Sequence, residues 1–211
     1  MRREAVRTIQ ALPDGIEFAM IFFAGPAWDA FEDIQDIAGN WVQTDKGPHT
    51  YRPKKWDRLA TIRYSTTSPE DRRRAVRAIQ KTPLVYGTVY DVPIYMALKM
   101  DPMPDTIFFM TDGSCIEDRG IESISKMVAQ LKETGKKVPP IHTVGFGLKG
   151  DKQLTAIAKL TKGTATFLTP GQYIQRYGPA TVDLPDGNGF NTRKFIESAP
   201  ADRYPVEFDF N

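Results

Sequence analysis

TIFFMTDGSCIEDRGIESISKMVAQLKETGKKVPPIHTVGFG, residues 106–147, reads as strand, loop, helix and strand in succession. The apolar run 106–111 is strand-sized and ends at Asp112-Gly113, where Gly113 is expected to allow a sharp turn. Ile121, Ile124, Val128 and Leu131 recur at helical spacing. They predict a helix over 118–134 that buries this stripe and stops at Gly135 in the C′ position. A second apolar run, 141–144, leads into Gly145-Phe146-Gly147. Strands joined through a helix of this length need a crossover, so they are expected to run parallel.

The alternation continues outward. Downstream, a helix over 151–162 closes at Gly163 and a strand covers 165–168. Upstream lie a loop at 82–90 and a short helix at about 92–100. Ser68-Pro69-Glu70-Asp71 is a helix start, with Ser68 as N-cap, Pro69 at N1 and Asp71 at the reciprocal capping position. The helix RRRAVRAIQ (72–80) shares RRxAVRxIQ with residues 2–10. The flanking segments do not match, so similar amphipathic demands explain the likeness better than a true repeat. A first helix over 2–12 aligns Ala5, Val6, Ile9 and Leu12. After Pro13-Asp14-Gly15 comes IEFAMIFFA (16–24), apolar enough for a strand covered on both faces. The fold class is therefore α/β, with a mostly parallel sheet covered on both faces by helices. The domain spans 1–170, with an elaborated insertion at about 25–67 that carries Trp28, Trp41 and Trp56 and allows a short helix near 29–38. An extension, 171–211, carries turn chemistry at Pro185-Asp186-Gly187 and a terminal strand at 206–210, and could pack on the domain.

With 211 residues, 41% of them apolar and 26% charged, the chain can bury a sizeable core. A net charge of +2 gives no global field for nucleic acid, and no apolar run is long enough for a membrane span. The single cysteine, Cys115, excludes an internal disulfide and a cysteine-rich zinc site, and no histidine partner accompanies it as a catalytic thiol. Residues 145–150 spell GxGxxG, but the next strand ends Phe167-Leu168-Thr169-Pro170 without the carboxylate a dinucleotide site needs. The glycines are better read as a turn. His49 and His142 have no second histidine near them and read as packed or exposed imidazoles. Ser114 lacks a nucleophile-elbow motif. Arg72, Arg73, Arg74 and Arg77 read as a solvated helix face beside Glu70 and Asp71. The tryptophans are expected to pin the insertion to the domain, with a binding role for it kept open.

In open parallel sheets, ligands bind beyond the carboxyl ends of the strands. Two chemically distinctive groups are expected there: Asp112, at a strand tip, and Thr88, in the loop YGTVYD (86–91). Both offer hard oxygen ligands suited to Mg²⁺ or Mn²⁺. The alternative is that Asp112 caps its turn and Thr88 satisfies backbone groups.

From residue 1 to about 170, the order of elements resembles a von Willebrand factor type A domain lacking its first strand. The resemblance is carried by REAVRTIQALPDGIEFAMIFFA, YGTVYDVPIYMAL, DTIFFMTDG, IHTVGFG and LTAIAKLTKGTATFL. It implies a three-layer, doubly wound, mostly parallel sheet of Rossmann-like type, with a metal-ion-dependent adhesion site on its carboxyl edge holding Mg²⁺, or Mn²⁺ or Ca²⁺ in its place. Thr88 would be a direct ligand and Asp112 would act through water. The chain departs from the family in one respect: the first-loop motif Asp-x-Ser-x-Ser, which supplies most of the ligands, does not occur in it. Thr88 and Asp112 alone would leave the ion bound mainly by water. A missing first strand would also leave the segment 16–24 with an unpaired edge. The remaining ligands are then expected ahead of Met1; alternatively, the strand 206–210 fills the gap, or the domain has lost its metal. The implied function is a non-enzymatic protein–protein interaction domain in which a protein partner's carboxylate completes the metal shell. The alternatives are a metal-free structural or assembly module and, more distantly, a hydrolase using Asp112. Nucleic acid is not an expected partner, and no membrane span is expected in this chain.

Overall fold

The computed structural model describes residues 1–33, 37–44, 50–83, 85–113, 115, 119–147, 150–169, 171, 172, 175, 197 and 198. Helix α1 (Arg2–Ala11) leads into β1 (Glu17–Phe18), β2 (Ile21–Phe23) and β3 (Ala27–Asp29). A 3-10 turn (Ala38–Asn40), β4 (Trp41–Gln43), β5 (Tyr51–Pro53), a second 3-10 turn (Trp56–Arg58) and β6 (Ser65–Thr66) precede α2 (Pro69–Lys81). Then come α3 (Asp91–Leu98), β7 (Ile107–Thr111), α4 (Arg119–Glu133), β8 (Ile141–Phe146), α5 (Lys152–Leu160), β9 (Ala165–Leu168) and β10 (Glu197–Ser198).

The expected parallel unit forms. Strands β7, β8 and β9 make a three-stranded parallel sheet in that order, with Ile107 opposite Ile141, Thr111 opposite Gly145 and Phe146 opposite Leu168. Helices α4 and α5 bury Ile124, Met127, Val128, Leu131, Leu154 and Ile157 in the same core as Phe109 and Ile141. The whole is a mixed α/β fold compatible with a Rossmann-like arrangement. Helix α4 ends as expected, with Gly135 at φ +73° and the Lys136 N–H donating to the Leu131 carbonyl at 2.9 Å. Helix α5 starts on Asp151, whose carboxylate accepts from the Leu154 N–H at 2.9 Å. It ends differently from expectation. The left-handed residue is Lys162 (φ 61°), and the Gly163 N–H closes the cap on the Ala158 carbonyl at 2.8 Å. Gly163 is needed for space instead, because a Cβ there would lie 1.9 Å from the Ile141 carbonyl oxygen.

On the other face of the sheet, cover by the described residues is incomplete. Phe108 is 59% exposed and stacks on His142 of the neighbouring strand, ring centroids 5.3 Å apart. His142 is a packed imidazole whose Nδ1 accepts from the Thr164 N–H at 3.2 Å. His49 and the expected strand 206–210 lie outside the described residues, as does most of 171–211.

The segment 16–24 is not one buried strand. It splits into β1, paired antiparallel with β6, and β2, paired antiparallel with β3. The cause is local: the chain doubles back at once, the Ala24 N–H donating to the Pro26 carbonyl at 2.8 Å, so β2 finds its partner in the next residues. Of the helix expected near 29–38, residues 34–36 lie outside the described residues and Ile37 is helical. Asp29 ends β3, and its carboxylate accepts from the Phe31 N–H at 2.9 Å to make a turn. The three tryptophans are all buried, Trp56 standing edge-on to Tyr95 with centroids 5.0 Å apart. Strand β10 pairs with β4, so the extension reaches back to the insertion.

All eight residues of α3 are buried, as an apolar helix at the centre of a core must be. Its single charged residue, Asp91, meets Arg52 of β5 at 2.7 Å. The Asp91 Oδ1 also accepts from the Val92 N–H at 3.0 Å, while Oδ2 has no hydrogen-bond partner among the described residues.

Helices α1 and α2 pack through Ile9, Ala75 and Ile79, and each caps the other's end. The Arg72 guanidinium donates to the carbonyls of Ile9 (2.8 Å), Gln10 (3.3 Å) and Leu12 (2.7 Å) and pairs with Asp14 at 2.9 Å. Arg2 donates to the carbonyls of Gln80, at 3.1 Å, and Thr82. Arg2 and Arg72 open the two copies of RRxAVRxIQ, so matched residues perform matched tasks in an antiparallel pair. Arg72 therefore leaves the solvated face expected for it. Arg74 stays exposed, as expected, and lies 4.0 Å over the Phe31 ring. At the start of α2, the Ser68 hydroxyl accepts from the Asp71 N–H at 3.1 Å as expected. The Asp71 carboxylate accepts from the Thr66 N–H at 3.1 Å, and hydrogen bonds from the Thr66 hydroxyl, above all, and from the Ser68 side chain hold its pKa below the ordinary value.

Arg72→Ala should cost roughly 1.5–3 kcal/mol in urea unfolding, the range for hydrogen bonds to a charged group, with Arg72→Lys recovering part of it. Lys162→Gly should gain up to about 1 kcal/mol by relieving the left-handed backbone, whereas Gly163→Ala should lose roughly 1–3 kcal/mol by overpacking.

Candidate functional site

Because β7, β8 and β9 run parallel, their carboxyl ends share one edge. Thr111-Asp112-Gly113, Phe146-Gly147 and Leu168-Thr169 all end there, and Asp151 caps α5 beside them. The loop that carries Thr88 is fastened to the end of β2, with the Val89 N–H donating to the Ala24 carbonyl at 2.9 Å and the Gly25 N–H to the Tyr86 carbonyl at 3.0 Å. Gly87 takes φ 97°, a left-handed conformation natural to glycine, and so turns the chain just before Thr88.

The two sequence-predicted residues come together. A Cβ added to Gly113 would lie 2.7 Å from the Thr88 hydroxyl oxygen, so the Thr88 side chain occupies the space beside the residue that follows Asp112. This revises the reason for the glycine. Its backbone is not left-handed; the absence of a side chain makes room for Thr88.

The capping role expected in the alternative reading falls to Thr111. Its hydroxyl donates to the Gly113 carbonyl at 2.9 Å and accepts from the Gly113 N–H at 3.2 Å. Among the described residues, neither the half-buried Thr88 hydroxyl nor the exposed Asp112 carboxylate makes a hydrogen bond. Both oxygens are left available at the edge. The start of α1 lies within electrostatic reach: burial lowers the pKa of the Met1 amine, while Asp112 and Glu4 push it back up.

Two hard oxygens side by side suit part of the shell of a divalent cation. Among the described residues, no group of three His, Cys, Asp or Glu is placed to complete one. Sequence reasoning missed Tyr90, whose buried hydroxyl donates to the Gly113 carbonyl at 2.8 Å. Burial raises its pKa, and the charge of Asp151 raises it further. A buried tyrosine needs a partner for its hydroxyl, and its position two residues after Thr88 was the available signal. Cys115 is buried, its carbonyl accepting from the Gln153 side chain at 3.4 Å; Ser114 lies outside the described residues. In the GxGxxG stretch Gly147 takes φ 73° and Gly150 φ 133°, while residues 148 and 149 lie outside the described residues; the Gly147 N–H continues the ladder to β9, donating to the Leu168 carbonyl at 2.8 Å.

Compared with protein-family models, with curated proteins and with solved structures, the chain matches none.

Gly113→Ala should leave the fold intact but rotate the Thr88 hydroxyl away from the edge. Urea unfolding should show a loss below about 1 kcal/mol, because a terminal side-chain atom can move aside. Any divalent-cation response of the protein should disappear with it.

Proposed function

We propose that this chain is a non-enzymatic protein-binding domain of the von Willebrand factor A type, with its recognition surface on the carboxyl edge of β7, β8 and β9. The observation that carries this reading is the approach of Thr88 to Gly113, which joins the two predicted ligand loops. In this reading Thr88 binds Mg²⁺ directly and Asp112 orients a metal-bound water. First-loop residues ahead of Met1 supply further ligands. When bound, the cation offers an open coordination position that a partner's carboxylate fills. The chain's own residues set where that happens: Gly113 leaves room for the Thr88 hydroxyl, Thr111 holds the turn, and Asp112 is free to face outward.

A second reading, a metal-free structural or assembly module, is favoured by the start of α1. The positive end of its helix dipole lies within electrostatic reach of Asp112 without a metal.

Translating the reading frame upstream of the Met1 codon separates the two readings. Asp-x-Ser-x-Ser there supports the metal site, and an immediate in-frame stop codon supports the metal-free module. For a chain carrying that segment, Mg²⁺ at a hundredfold excess over Kd should raise Tm by roughly 5–10 °C, and Asp112→Ala should abolish the rise. An unchanged Tm would count against the metal site.

A further inference from the structure

We infer that the Tyr90 hydroxyl is a positioning group that holds the Asp112 turn in register with the Thr88 loop. This rests on the proposed metal reading of the edge and assigns a role within it to a residue that binds no metal itself.

Tyr90 joins three pieces of the fold. Its backbone ends the loop that carries Thr88 and opens α3, which is buried along its whole length. Its ring is fully buried and stands edge-on to Phe109 of β7, with centroids 5.2 Å apart and planes at 80°. Its hydroxyl reaches past that ring to the turn that follows β7 and donates to the Gly113 carbonyl at 2.8 Å. The Cys115 backbone also hydrogen-bonds to it and the Thr111 hydroxyl lies beside it, so it meets the turn at residues 111, 113 and 115. Asp112 sits between two of them and has no hydrogen bond of its own among the described residues.

The geometry separates two tasks. Thr111 closes the turn on itself through Gly113, which fixes its internal shape. That leaves the turn free to shift as a unit against the Thr88 loop. Tyr90 removes this freedom, because it belongs to the Thr88 side while its hydroxyl grips the Asp112 side. A phenylalanine would fill the same volume and keep the contact with Phe109 but would release the turn. Groups that orient ligands in this way commonly change metal affinity by tenfold or more when removed.

The test is titration of Mn²⁺ alone into the full-length protein that carries the segment ahead of Met1, followed by the electron paramagnetic resonance signal of the free ion. Tyr90→Phe and Asp112→Asn are compared with the unaltered chain and with Ile157→Val, a core change on the buried side of the sheet. The inference expects Tyr90→Phe to raise the Mn²⁺ Kd about tenfold or more, while Ile157→Val, with a comparable loss of Tm, leaves it unchanged. Tyr90→Phe binding within twofold of the unaltered chain would overturn the inference and leave the metal reading standing. Equal weakening by Ile157→Val would also overturn it, since the effect would then be one of stability. If the unaltered chain shows no Mn²⁺ binding that Asp112→Asn removes, the metal reading fails and the role of Tyr90 fails with it.

Discussion

The pair between Arg52 and Asp91 ties the insertion to the centre of the molecule. The Asp91 carboxylate is fully buried at the first residue of a helix that is otherwise apolar, and the Arg52 guanidinium is nearly so. Removing charges from water is expensive, and taking away one partner of such a pair typically costs about 3–5 kcal/mol. The arrangement is therefore weak as a source of net stability and strong as a constraint. It fixes β5 against the start of α3. The start of α3 in turn fixes Tyr90 and Thr88, which immediately precede it. Position at the candidate site is inherited from an ion pair made with residues of the insertion.

Legibility in the sequence follows the range of the interactions. Short-range features were readable: Ser68 as a cap, Gly135 as a stop, Asp112 at a strand tip and the three parallel strands. Their causes lie within a few residues. Features that depend on distant partners were not readable. Arg72 bonds carbonyls about sixty residues away, and nothing in its neighbourhood distinguishes it from Arg73. The glycine at 113 was visible as a glycine, but the need for it comes from Thr88, in another loop. The segment 16–24 misled because apolar content reports burial and not the direction of pairing; the turn at Gly25-Pro26 decided that.

The candidate site shows the same division. Thr88 and Asp112 could be named as oxygen donors, and their convergence is a matter of strand order and of space at Gly113. Tyr90 carries no motif. It is recognised by where its hydroxyl ends, across a buried ring that looks in the sequence like any other core aromatic. The edge combines two exposed or half-exposed oxygens with a backing of fully buried groups, and that contrast suits recognition by contact better than a deep pocket would.

The mutual grip of α1 and α2 has a consequence for everything between them. With Arg72 holding the end of α1 and Arg2 holding the end of α2, residues 13–68 form a loop closed at its base. The entropy of closing such a loop grows only logarithmically with its length, so doubling it costs about 0.6 kcal/mol. A chain built this way can accept a longer, shorter or different insertion while the clamp, and the helices that frame the sheet, stay as they are. The tryptophan-bearing segment is where sequence change is mechanically cheapest, provided that a positive charge still reaches Asp91.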